Sequence, residues 1–396
     1  MIWLATVLAA FVLANFAASD SISSIETFIV PLLWHGPNNQ ITTLKEGISL
    51  ALLLNVSVLL PDTLLSHKFS DGGPDLQLVT NELFDVRLLR AAGVAHSFIS
   101  GAEQAGGWNR TLDALLYFRD EPFPAVTRML DAMGLKAPPM EHWLRSPISV
   151  TRGCSHSHIR KLGRMLRPYR YVGMLCYDDF TLQTHKLAGT LLSDCGADAC
   201  CQAYKEGSVA LRHSLNMLDL AGSFVRQYIG ADTPFLAVHI RPMPDPCVEL
   251  WRQPQEELSE REMEDTCRTD FMLDRFVPNV RALQAAFNLS RVFVMTHPTI
   301  RPRVFRMLRA AGIQPIYMDM KHLATRESPP AGGGGPATAG GGEPAPAGSD
   351  NGGGPAPLAR SAPSFSLLAM VEEAVAAAAT VFLGTAESSM TGMVVQ

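Results

Sequence analysis

Three short stretches of the 396-residue chain carry residue types suited to holding a phosphate or a sugar. The first is Gly36-Pro37-Asn38-Asn39-Gln40. A glycine-containing turn ahead of a helix presents backbone N–H groups and the positive end of the helix dipole to an anion. Asn38 and Asn39 add side-chain donors. The same residues also suit an ordinary strand-to-helix connection with an Asn cap. The second stretch is His239-Ile240-Arg241, with Asp245 four residues on. In a strand, His239 and Arg241 share a face. The planar fork of an arginine matches a pyrophosphate, and Asp245 would orient that fork or face a substrate. The alternative is a strand-end ion pair between Arg241 and Asp245. The third is Ser388-Ser389-Met390-Thr391, after the apolar run Val381-Phe382-Leu383-Gly384. Its hydroxyl and N–H groups suit a phosphate, and Ser388 or Ser389 equally suits a helix N-cap. The two roles are compatible.

The elements that must position these residues follow from periodicity. Thr27–Leu33 is a β-rich run; Ile41, Leu44, Ile48, Ala51 and Leu52 recur at helical spacing; Val56–Leu60 is a second strand closed by Pro61. That is a strand–helix–strand unit with its first loop aimed at a helix start. From Phe235 the alternation repeats, with strands over 235–240, 291–296, 314–318 and 380–383. Helices are expected over 258–287, 301–311 and 364–379. Strands alternating with helices predict an α/β protein with a parallel, doubly wound sheet, whose ligands lie at the carboxyl ends of the strands. In between, 111–117, 123–134 and 207–228 read as helices, and His156 and His158 as part of a solvated basic loop rather than a metal site. Residues 326–361, rich in Gly, Pro and Ala, read as a disordered insert within the second domain, since they have too little apolar surface to offset ordering entropy.

Composition narrows the function. A 47% hydrophobic content predicts packed cores, and the length allows two domains, placed at 26–230 and 231–396. A net charge of −5 argues against a nucleic-acid partner. Residues 1–18 have no ionisable side chain and read first as a cleaved signal peptide, second as an uncleaved membrane anchor. The seven cysteines, Cys154, Cys176, Cys195, Cys200, Cys201, Cys247 and Cys267, suit disulfides in an oxidising lumen; Cys247 and Cys267 would close a loop, and the odd number leaves a thiol over. The spacing of Cys195, Cys200 and Cys201 is poor for zinc. Sequons stand at Asn55, Asn109 and Asn288, with Asn55 expected to be buried between apolar runs. Hydrolase, zinc-protease, P-loop and dinucleotide motifs (GxSxG, HExxH, GxxxxGK[ST] and GxGxxG) do not occur.

In this order the three stretches resemble the GDP-fucose protein O-fucosyltransferase family. That family opens with a Gly/Asn/Gln loop and a Leu-Asn-x-(Thr/Ser)-x-x-x-Pro strand, here Gly36–Gln40 and Leu54–Pro61. It continues with His-x-Arg-x-x-x-Asp, here His239, Arg241 and Asp245, and ends with Phe-x-Gly and Ser-Ser-Phe-(Ser/Thr), here Phe382–Gly384 and Ser388–Thr391. The resemblance covers the start of the chain and residues 234–396. It implies a GT-B-like fold of two Rossmann-like domains facing a central cleft. It also implies transfer of fucose from GDP-fucose to a Ser/Thr hydroxyl of a protein or to a glycan acceptor, with inversion and no required metal or cofactor, in the lumen of the endoplasmic reticulum or Golgi. Arg241 and Asp245 would be catalytic; Gly36, Asn38, Asn39, His239, Arg241, Ser388 and Ser389 would bind substrate. Other readings are a different nucleotide-sugar transferase and a non-catalytic luminal binding protein of the same fold. Three positions depart from the family: Thr380 stands where an Asp helps hold guanine, Met390 replaces Phe, and His297 replaces Asp. The chain stops soon after the last motif, so a final helix of the family is expected to be missing.

Overall fold

The structure, a computed structural model, describes residues 26–34, 36–65, 77–122, 124–148, 154–175, 194–242, 247, 267, 275–324, 364–385 and 394. Asp245, Ser388, Ser389, Cys176, residues 1–18 and the 326–361 insert lie outside the described residues.

The chain opens with β1 (Phe28–Pro31), α1 (Pro37–Leu54) and β2 (Ser57–Leu60). Proline at the first turn of α1 suits a position whose N–H would have no helical partner. The helix ends at Asn55, which takes the left-handed conformation (φ 51°) that closes helices. A small antiparallel pair, β3 (Thr63–Leu65) and β4 (Gln77–Val79), precedes β5 (His96–Phe98) and α2 (Ile99–Gly106). Then come β6 (Ala114–Tyr117), α3 (Val126–Ala132), β7 (Trp143–Arg145), α4 (His156–Leu166) and β8 (Tyr171–Leu175). The first sheet is parallel throughout, in the order β5-β2-β1-β8-β6-β7. Helices α5 (Ala199–Ala210) and α6 (Leu215–Phe224) lead to the second sheet.

That sheet contains β9 (Phe235–His239), β10 (Arg291–Met295), β11 (Pro315–Ile316) and β12 (Val381–Gly384), parallel in the order β11-β10-β9-β12. Its connecting helices include α7 (Val277–Phe287), α8 (Arg301–Ala310) and α9 (Phe365–Ala377). Strand β9 is buried along its whole length, as its continuous apolar run predicts for a parallel strand covered on both faces. One apolar cluster joins the two sheets: Ile41, Leu44 and Ile48 of α1 share it with Phe235, Phe293, Leu368 and Val375.

Several sequence expectations are corrected. Residues 111–117 do not form a helix; they hold strand β6, between β8 and β7. The Asp113 carboxylate accepts the N–H groups of Arg170 (3.0 Å) and Tyr171 (2.8 Å), which fixes the strand to β8. The expected helix over 207–228 breaks at Leu211–Ser214, where the Ser214 N–H donates to Leu83 C=O (2.8 Å) and the Ser214 hydroxyl caps α6 at the Met217 N–H (3.2 Å). His156 and His158 belong to α4, capped by Ser155, rather than to a loop. Asn55 is exposed, not buried. Disulfides join Cys154 to Cys200, Cys195 to Cys201 and Cys247 to Cys267. No helix among the described residues is long and apolar enough to cross a membrane.

Candidate functional site

Both candidate loops emerge where their sheet reverses strand order. β9 lies between β10 and β12, and β1 between β2 and β8. Crossovers leave such a strand on opposite sides, opening a crevice at its carboxyl end. His239 and Arg241 stand at that end of β9; the Gly36–Gln40 loop follows β1 and starts α1.

The carboxyl end of β9 is held by both neighbours. Ile240 N–H donates to Met295 C=O (2.9 Å), and the Thr296 hydroxyl donates to Ile240 C=O (2.7 Å). On the other side Thr385 bridges: its N–H and its hydroxyl both donate to His239 C=O (3.0 Å each), while its Oγ1 accepts the Arg241 N–H (3.0 Å). The main chain around Arg241 is therefore fixed before any ligand arrives, and the Arg241 side chain is half-buried. His239 is buried, and burial, aided by the Arg241 charge, lowers its pKa to about 3. It is a neutral imidazole at physiological pH, so Arg241 brings the positive charge to this strand end. Thr296 and Thr385 were not singled out from sequence. Each is the first residue after a strand, and only the strand order, with both strands flanking β9, brings them to Arg241.

The loop after β1 differs from its expectation. Gly36, not an asparagine, is the N-cap of α1, and it uses no side chain; its carbonyl accepts the N–H groups of Asn39 (3.0 Å) and Gln40 (3.1 Å). The hydroxyls of Thr42 and Thr43 donate back to the carbonyls of Asn38 and Asn39 (3.1 Å each). The Asn38 side chain reaches toward Glu373 of α9, in the second half of the chain. The Asn38 amide favours the charged carboxylate, yet neither Asn38 Oδ1 nor either Glu373 oxygen is in a hydrogen bond of normal geometry.

A group of buried ionisable residues continues from there. Lys45 lies two turns beyond Asn38 on the same face of α1. Burial lowers its pKa to about 8 against the pull of Glu373. Burial raises Glu373 well above the usual carboxylate range, opposed by Asn38 and Lys45 and aided by Glu372. His213 is lowered to about 4, by burial first and then by Lys45. Glu372 is raised to about 8 by burial, against the attraction of Arg301, whose Nη2 donates to its Oε1 at 2.7 Å. Adjacent glutamates on α9 thus address Arg301 of their own half and Lys45 of the other.

Other residues stand apart from this arrangement. Thr380 is at the amino end of β12, where its N–H donates to Phe235 C=O (3.0 Å). Five residues of strand, about 16 Å, separate it from the level of Arg241. Thr380 therefore does not touch the end of the sheet that holds Arg241. His297 lies at the carboxyl end of β10, where its Nδ1 accepts the Thr299 N–H (3.3 Å) and its ring meets Phe365 at 5.6 Å. A cavity of about 610 Å³, lined by Glu26, Thr27, Asn55 and Arg167, opens on the opposite edge of the first sheet and holds none of the candidate residues. Cys154, Asp198 and Cys200 lie together, but the two sulfurs are bonded to each other and the Asp198 carboxylate caps α5 at the Cys201 N–H (2.9 Å).

No protein-family model and no curated protein sequence matches the chain. Solved structures do. POFUT1 in complex with GDP is 12% identical with a TM-score of 0.52, over 95% of this chain and 94% of that one. POFUT1 in complex with GDP-fucose is 13% identical with a TM-score of 0.52, over 95% of each chain. The likeness is one of fold and runs nearly end to end. It bears out the α/β, GT-B-like arrangement and extends it across 63–230, where the motifs were silent.

Proposed function

We propose that this protein is a glycosyltransferase that moves fucose from GDP-fucose to a Ser/Thr hydroxyl of a protein or to a glycan acceptor, with inversion. The observation that carries the reading is the end of β9. Arg241 leaves the sheet at the reversal of strand order, on a main chain held by Thr385 and Thr296, in a fold shared with a protein solved with GDP-fucose. When the glycosidic bond breaks, charge develops on the departing diphosphate, and a fixed cation there stabilises the transition state more than the ground state. Arg241 is that cation in our reading. Ser388 and Ser389 supply hydroxyl and N–H groups, and Asp245 orients Arg241 or accepts the acceptor's proton. Gly36, Asn38 and Asn39 line the facing side. His239, neutral, serves as a hydrogen-bonding partner rather than a second positive charge. No metal enters this scheme.

Residues 26–230 form the acceptor side and 231–396 the donor side in this reading. Three disulfides suit an oxidising compartment, and residues 1–18 act as the signal or anchor that delivers the chain to the endoplasmic reticulum or Golgi lumen. The test is a thermal-shift and donor-hydrolysis panel of GDP, GDP-fucose, GDP-mannose, UDP-sugars and free nucleotides. Selective stabilisation by GDP and turnover of GDP-fucose are expected. Preference for a uridine nucleotide would replace the donor; no response to any nucleotide would favour a non-catalytic protein.

A further inference from the structure

Helix α9 reaches both sides of the crevice. At its carboxyl end it leads into β12, and Thr385, directly after β12, holds the main chain of Arg241. Farther up the helix, Glu373 faces Asn38 in the first turn of α1, one residue before Asn39. Glu373 is 2% exposed. Both of its oxygens and Asn38 Oδ1 are buried without a hydrogen-bond partner among the described residues. Only one protonation state lets these atoms satisfy one another. A carboxylate only accepts, so it serves the Asn38 N–H and leaves Oδ1 unpaired; a neutral carboxyl donates its O–H to Oδ1 and accepts the N–H on its other oxygen. A buried acceptor left unpaired is costly. Burial also favours the neutral acid, holding Glu373 well above the usual carboxylate range. Lys45 is the competing partner, drawn to the ionised form.

We infer that Glu373 is a positioning residue: as a neutral acid it pairs with the Asn38 amide through both of its oxygens, which fixes the first turn of α1, and with it Asn39, relative to the Arg241 strand end that α9 holds through β12. The inference rests on the reading above, in which Asn39 and Arg241 face one substrate. Ionisation breaks the pair: the O–H is lost, Asn38 Oδ1 loses its donor, and the carboxylate turns to Lys45. The other charged groups nearby are engaged elsewhere. Glu372, next to Glu373, accepts from Arg301 of α8 (2.7 Å), and His213, between α5 and α6, faces Lys45. Asp219 of α6 is exposed, and Lys321 and His322, on the short helix at 320–324 that packs on α9, pair with Asp319. Because the folded pKa of Glu373 is raised, the pair is kept on the acid side of that value and lost as the pH rises through it.

The test compares the full chain with two variants. Glu373→Gln keeps an N–H donor and a C=O acceptor for Asn38 but cannot ionise. The double variant Lys45→Met, Glu373→Leu fills the same space with neither group. GDP-fucose turnover is followed against pH, with folding checked by thermal melts. Glu373→Gln should keep kcat within about twofold of wild type near neutrality and move the alkaline limb to higher pH, since its amide does not ionise. The double variant should melt close to wild type with kcat about tenfold lower, the size of one lost hydrogen bond. A Gln variant as impaired as the double variant overturns the acid–amide pair. Wild-type kcat in the double variant overturns the positioning role, and an alkaline limb unmoved by Gln overturns the requirement for a neutral Glu373. A wild type that turns over no nucleotide sugar counts against the proposed reaction alone. The pair is then read without activity, as the infrared carbonyl band of a buried protonated carboxyl, present in wild type and lost in Glu373→Gln; identical spectra overturn the inference.

Discussion

The ends of β9 and β1 occupy equivalent places in their sheets and are built in opposite ways. The end of β9 is secured by neighbours within its own sheet: Thr296 and Thr385 hold the backbone, and His239 is kept neutral. The first turns of α1 depend on the other half of the molecule, through Asn38, Lys45 and Glu373, with the Glu373 carboxyl buried and outside any hydrogen bond of normal geometry. Burying two opposite charges gains little over apolar packing, while stranding one is costly. The first arrangement suits a fixed electrostatic device, and the second makes the position of the α1 loop conditional on the docking of α9.

This contrast can be broken by substitution. The largest effect is expected at the charge pair. Glu373→Ala should lower the melting temperature and shift the Lys45 pKa further down, because the Glu373 attraction that opposes the effect of burial on Lys45 is lost. The double variant Lys45→Met, Glu373→Leu should recover most of that loss. Thermal melts of both check it, and a mild single variant would show that the pair is not coupled.

At the β9 end the expected loss is in rate. Arg241→Ala should lower donor turnover about 10²–10³-fold with an unchanged melt, and Arg241→Lys should also be badly impaired because the planar fork is lost. Near-wild-type turnover in a folded Arg241→Ala protein would remove Arg241 from the mechanism. Thr385→Val should be milder: losing a hydroxyl that fixes backbone costs about 1–1.5 kcal/mol, roughly tenfold in turnover. Thr385→Ser should restore it, and an equally impaired Ser variant would assign the loss to packing.

The two histidines sharpen the comparison through pH. Both have folded pKa values below the ordinary 6.5, His213 at about 4 and His239 at about 3. Between those values and 6.5 the unfolded chain binds more protons, so their contribution to stability rises with pH and is lost on acidification from 6.5 towards 4. His213→Gln should flatten the acid side of a plot of melting temperature against pH. An unchanged slope would show that His213 is not held neutral. The smallest effect is expected far from both ends: deleting residues 330–358 should leave melting and donor binding nearly unchanged.

Legibility followed the same division. Strands β9, β10 and β12 were readable because runs such as FLAVH and RVFVM are apolar without interruption. Strand β6 was not, since a short apolar run has no period to separate strand from helix. The break between α5 and α6 escaped because it is made by Ser214 bonding to Leu83, a residue distant in the chain. Arg241 and His239 were readable as a pair on one strand face, but the Thr385 bridge was not, because it forms only when β12 lies beside β9.

By itself, the sequence determined what local chemistry can dictate: alternating strands and helices, the arginine at a strand's carboxyl end, the Gly-Pro start of α1, and a cysteine content that suits disulfides. Only the tertiary structure decided which strands became central, and so where order reverses and crevices open. It also decided that Lys45, Glu372 and Glu373 are buried, with the half-buried His213 near Lys45, and that His239 carries no charge. Strand pairing and desolvation depend on residues far apart in the chain, and no local pattern records which of them will meet.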